Sequence, residues 1–172
     1  MKKRIYIIAL LGFFSFMTMK AQAQYKVFRL VQKSTGKCLT REWSTHPTID
    51  LLYMRDKNTG ENEVSQLFII KRISGSNEVY IISASDHNMY LRPVIPTASS
   101  SSIRLDRDLA YPWQLQFAGG SVYITKASKS GVLKVMPDDK FGWVEELPKL
   151  SNLNDPLGDS FRFLLEEVTN TF

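Results

Sequence analysis

The feature that most constrains this chain is a pattern that returns three times. Phe28-Arg29-Leu30, then Lys33-Ser34-Thr35-Gly36-Lys37-Cys38-Leu39, reads as a strand, a polar turn and a second short strand. At an offset of 52 it returns as Tyr80-Ile81-Ile82 with Ser85-Asp86-His87-Asn88-Met89-Tyr90-Leu91. At an offset of 94 it returns as Val122-Tyr123-Ile124 with Ser128-Lys129-Ser130-Gly131-Val132-Leu133. An aromatic opens a further strand late in each unit: Phe68-Ile69-Ile70, Trp113-Gln114-Leu115 and Phe161-Arg162-Phe163. Three units, at about 25–78, 79–121 and 122–172, fill the chain from residue 25 onward.

Amphipathic helical periodicity is scarce. The clearest strands are Tyr25–Val31, Leu67–Ile73, Val79–Ile82, Trp113–Phe117, Val122–Thr125 and Phe161–Leu165, rich in aromatic and β-branched residues. A helix over Trp143–Leu150 would be interrupted by Pro148. One such unit cannot bury its own apolar side. Three units around a shared axis can, with Phe28, Leu30, Leu39, Phe68 and their counterparts in one core, and closure into a barrel removes open sheet edges. The stretches Pro93–Ala110 and Pro137–Gly158 are then expected to be surface loops.

The first 23 residues read as an export address. Lys2, Lys3 and Arg4 precede an uncharged apolar run, Ile5–Met19, and Ala21-Gln22-Ala23 places small residues where a signal peptidase reads them. A run of 15 is short for a membrane span, which needs roughly 20 residues, so a cleaved signal is favoured over an anchor. Cleavage after Ala23 would leave one domain, 24–172, of 149 residues, secreted or periplasmic. The segment also carries four of the 22 basic residues, so the formal charge of +5 falls to +1, eighteen basic residues against seventeen acidic. The longest basic run after it is Lys71-Arg72. Phosphate-backbone binding needs clustered cations, so nucleic acid is excluded as a partner, and stable membrane insertion after cleavage is not expected.

The repeated residues resemble a ricin-type β-trefoil, the ricin B-like lectin family. Ser34-Thr35-Gly36-Lys37-Cys38-Leu39 matches its early turn and strand. Gln66-Leu67-Phe68, Tyr111-Pro112-Trp113 and Asp159-Ser160-Phe161 are degenerate forms of its Gln-x-Trp element. The resemblance implies an all-β fold, a β-trefoil of three four-strand repeats with pseudo-three-fold symmetry. It also implies a binding module for carbohydrate. In sugar-binding members an Asp follows the Leu of the early strand; here Thr40, Arg92 and Lys134 stand there, and none is a carboxylate.

A sugar site built another way would pair carboxylates with aromatics, since a sugar ring has an apolar face and several hydroxyls. Glu42, Trp43, Tyr53 and Gln66 offer this in the first unit, and Asp138, Asp139 and Trp143 in the third. Catalysis is not expected. His46 and His87 fall in turns, and Cys38 falls on a core strand. Glu145-Glu146 and Glu166-Glu167 are neighbours that would point to opposite faces of a strand. No nucleophile elbow, metal motif or phosphate loop is present, and neither cofactor nor metal is implied. The partner is a glycan or, on the alternative reading, a secreted or host protein engaged by an inhibitor or adhesin.

Overall fold

A computed structural model describes residues 25–94, 100–126, 132–135, 141–144 and 161–169. The proposed signal segment, Asp138 and Asp139 lie outside the described residues. Twelve strands are described: β1 Val27–Gln32, β2 Cys38–Glu42, β3 Ile49–Arg55, β4 Phe68–Arg72, β5 Glu78–Ser83, β6 Met89–Pro93, β7 Ser100–Arg107, β8 Trp113–Ala118, β9 Ser121–Lys126, β10 Val132–Val135, β11 Phe141–Val144 and β12 Phe163–Val168. A 3₁₀ turn, Gly60–Gln66, leads into β4.

All pairings are antiparallel, and six of them close a ring: β1–β4, β4–β5, β5–β8, β8–β9, β9–β12 and β12–β1. The other strands form hairpins β2–β3, β6–β7 and β10–β11, and β3–β7 and β7–β11 join these to one another. The six ring strands are the six that alternation and β-propensity pick out. The hairpin strands, β3, β7 and β11 above all, are not among them. β7 runs through the stretch expected as a loop at 93–110, and β11 lies inside the one expected at 137–158.

The turn after β1 shows how local chemistry sets the first hairpin. Gly36 adopts φ +73°, a left-handed conformation open to glycine. Its N–H donates to the Gln32 carbonyl at 2.9 Å, and the Gln32 N–H donates to the Lys37 carbonyl at 2.8 Å. Cys38 then pairs with Val31, and Leu39 is delivered to the interior.

Register fixes which residues correspond. Val31 pairs with Cys38, Ile82 with Tyr90 and Thr125 with Val132. Leu39, Leu91 and Leu133 follow, all fully buried. The expected offset of 52 holds after the second turn, but the preceding strand is offset by 51, so that turn is one residue longer than the first. A second correction concerns the closing aromatics. Phe68 pairs with Phe28 and Ser83, Trp113 with Val79 and Lys126, and Phe163 with Val122 and Gln32. The third closing aromatic is therefore Phe163, not Phe161.

Phe68, Trp113 and Phe163 are fully buried with the three leucines, Leu30, Met54, Ile81, Leu105 and Ile124 in one core cluster. Burial of each such side chain stabilises the fold by about 1.5–3 kcal/mol. Trp113 also satisfies its buried polar atom, its indole N–H donating to the Leu91 carbonyl at 2.9 Å. Cys38 is buried and unpaired, and burial pushes its thiol pKa up, so it is a core side chain rather than a thiolate.

Candidate functional site

Side chains alternate along β2 and β3, so the first hairpin has an inner and an outer face. Leu39, Arg41, Leu52 and Met54 face inward and are buried. Thr40 pairs with Tyr53, Glu42 with Leu51 and Cys38 with Arg55 in register. Thr40, Glu42, Leu51, Tyr53 and Arg55 thus share the outer face. There the Arg55 guanidinium lies over the Tyr53 ring, 4.8 Å from its centroid. Arg55 Nε donates to Glu42 Oε1 at 3.1 Å, and Nη2 completes the ion pair with the same oxygen. A carboxylate, a fork of donors and an aromatic face stand together, each reaching solvent. Such a set can hydrogen-bond hydroxyls and cover a C–H face at once.

Gln66, expected as a ligand residue, takes up a structural position. It is fully buried at the end of the 3₁₀ turn. Its Nε2 donates to Thr40 Oγ1 at 2.9 Å and to the Asp56 carbonyl at 2.7 Å. Its Oε1 accepts the Asn58 N–H at 2.8 Å. The amide fastens the segment after β3 beneath the outer face of β2. Thr40, at the family's Asp position, is itself buried and donates to the Cys38 carbonyl at 2.9 Å.

Trp43 is 59% exposed just beyond β2, but it does not join Glu42 and Tyr53. It sits by Arg41, whose guanidinium lies 5.2 Å from the ring centroid. Arg41 is buried and engaged: Nε and Nη2 meet Asp50 Oδ2 at 2.7 and 2.6 Å, and Nη1 donates to Ser85 Oγ at 2.6 Å. The other Asp50 oxygen accepts the Ser44 N–H at 2.8 Å. The carboxylate nearest this tryptophan in the network is thus committed to the fold, and Trp43 offers an aromatic platform alone.

Trp143 pairs with Leu133 in β11. Met54 holds that register opposite Leu39, and Leu105 holds it opposite Leu91; both are fully buried.

The outer faces of the other hairpins follow from the same register. Arg92 faces Arg104 where Thr40 faces Tyr53. Counting back two residues from each closing aromatic gives Gln66, Tyr111 and Phe161. Gln66 bonds to Thr40, Tyr111 packs on Trp113, and Lys134 Nζ stands 5.2 Å from the Phe161 ring centroid. Sequence reading missed Arg55, Arg104 and the Lys134–Phe161 contact. The signal available was alternation, which places position i+2 on the same face.

No protein-family model matches the chain, and no curated protein matches it in sequence. Solved structures do match. The agglutinin of Rhizoctonia solani superposes with a TM-score of 0.66 at 14% identity, over 84% of this chain and 96% of the agglutinin. ThreeFoil, a designed three-fold symmetric protein, gives 0.60 at 16% identity, over 83% and 99%. The ricin B-like lectin of Macrolepiota procera, in complex with lactose, gives 0.60 at 12% identity, over 83% and 95%. The BEL β-trefoil gives 0.59 at 19% identity, over 83% and 93%, and the fold of this chain is a β-trefoil.

Proposed function

We propose that the protein is an exported glycan-binding module, organised as three four-strand units about a pseudo-three-fold axis, that binds without catalysing. The observation that carries this reading is the Glu42–Tyr53–Arg55 cluster on the outer face of the first hairpin. It supplies the carboxylate that the family's Asp position lacks, from two residues further along β2, next to an aromatic ring. The similarity to trefoil lectins, one with lactose bound, supports the same reading at the level of the fold. Export rests on the 1–23 segment and its Ala21-Gln22-Ala23 site.

The test is binding of the purified protein to a broad glycan panel, repeated with Glu42→Gln, Tyr53→Ala and Trp43→Ala. Loss of a carbohydrate charge-assisted hydrogen bond or an aromatic platform is expected to weaken binding by about tenfold or more. Glu42→Gln and Tyr53→Ala should show that loss with melting temperatures within a few degrees of the parent, and Trp43→Ala a smaller one. Failure to bind any glycan, together with capture of a defined secreted protease or host protein, would replace this reading by the protein-binding one. N-terminal sequencing of exported protein should begin at Gln24; an uncleaved Met1 would refute the signal.

A further inference from the structure

The outer face of the second hairpin carries a different chemistry. Arg92 and Arg104 stand directly opposite one another across β6 and β7, an arrangement that is destabilising for like charges left alone. One carboxylate lies between them. Asp106 Oδ2 accepts Arg104 Nε and Nη2, each at 3.0 Å. Arg92 Nε is 3.4 Å from the same oxygen, without the alignment of a hydrogen bond, and is buried with no hydrogen-bond partner among the described residues. The next cation along β7, Arg107, is paired elsewhere, with Asp86 at 2.7 Å.

Two guanidiniums therefore share one carboxylate, and solvent meets them unequally. The side chains of Arg92 and Arg104 are 19% and 26% exposed, against 3% for Asp106, so an approaching group meets cations first. Tyr111, at the register of Gln66, packs on Trp113 with ring centroids 4.9 Å apart. Burial raises its phenol pKa, outweighing the opposing charge of Arg92, so the hydroxyl remains a donor at neutral pH.

We propose that Arg92 and Arg104 form a specificity site for an acidic sugar, taking the carboxylate or sulfate of a charged glycan. The inference rests on the glycan-binding reading and names a ligand class for a second face of the same fold. A planar guanidinium presents parallel N–H donors that match a carboxylate or sulfate, and an anion would supply the counter-charge that Asp106 alone cannot.

The full protein would be titrated calorimetrically with lactose, sialyllactose and 3′-sulfolactose, at low and at high salt. One charged probe should bind about tenfold tighter than lactose, with the gap narrowing as salt screens it. Which probe prevails identifies carboxylate or sulfate as the ligand group. Arg104→Gln and Arg92→Gln should each reduce the preference at least about fivefold, and Arg104→Lys, which keeps the charge but loses the fork, should reduce it less. The lysine variant provides the comparison if a glutamine variant fails to fold. Equal affinity for lactose and both charged probes, or a preference that survives the glutamine variants, would overturn the proposal and leave neutral-glycan binding standing. Failure to bind any of the three probes would also overturn it, whereas the broad panel with the Glu42 and Tyr53 variants decides the parent reading separately.

Discussion

Replacing Gln66 by leucine separates a structural amide from a ligand-binding one. The side chain is fully buried and makes three hydrogen bonds, to Thr40 Oγ1, the Asp56 carbonyl and the Asn58 N–H, at 2.7–2.9 Å. Each contributes a net 1 kcal/mol or so, so the leucine, similar in volume, should cost about 3 kcal/mol. The cost should not exceed this greatly. Asp56 is exposed and Asn58 half-buried, so water can reach both when the amide is gone. In a domain of this size 1 kcal/mol moves the melting temperature by roughly 2–4 °C, so a fall of about 6–12 °C is expected. Thermal unfolding followed by circular dichroism measures it, beside glycan binding well below the transition. A melting temperature lowered by less than about 2 °C, with binding abolished, would show that Gln66 serves the ligand and that its buried bonds carry little weight.

Asp50→Ala, within β3, should be strongly destabilising, because it leaves the Arg41 guanidinium buried with only hydroxyl partners. Breaking a buried pair costs about 3–5 kcal/mol, and denaturant unfolding should show that loss largely recovered in an Arg41→Met/Asp50→Leu double variant; a single variant within 1 kcal/mol of the parent, by the same roughly additive scale, refutes the account. Cys38 should resist alkylation in the native protein at pH 8 and label fully after unfolding, since burial disfavours its thiolate. Rapid native labelling would contradict its core placement.

The parts of the fold legible in the sequence are those where apolar alternation is uninterrupted. The ring strands β1, β4, β5, β8, β9 and β12 meet that condition. β3 does not, because Asp50 interrupts it, and an Asp among apolar residues reads as a turn until Arg41 is placed beside it. β7 opens on three serines, and β11 contains Gly142 between Phe141 and Trp143. The choice of Phe161 over Phe163 failed for another reason. A shift of two residues keeps every side chain on its own face, so alternation cannot tell the two apart; pairing with Val122 and Gln32 can. The same gap explains the candidate site. Glu42 and Tyr53 were visible as residue types, but adjacency made Trp43 look like their partner, whereas the strand sends it to the other side and brings Arg55 instead.

One pair of positions shows how this fold separates stability from recognition. In two of the units the residue after the buried leucine contacts the residue two before the closing aromatic: Thr40 with Gln66, and Lys134 with Phe161. The leucines Leu39, Leu91 and Leu133 and the closing aromatics Phe68, Trp113 and Phe163 are all fully buried. The contacts themselves differ: a neutral hydrogen bond in the first unit and a cation over a ring in the third, with an arginine at the corresponding position of the second. Alternation places Thr40, Arg92 and Lys134 on the face opposite Leu39, Leu91 and Leu133, so a change at the first three leaves the packing of the leucines in place. The absence of an Asp after each leucine, where the sugar-binding lectins that the sequence resembles carry one, is therefore compatible with the proposed binding. It lets each face carry its own chemistry, and the three must be tested one by one rather than as copies of a single site.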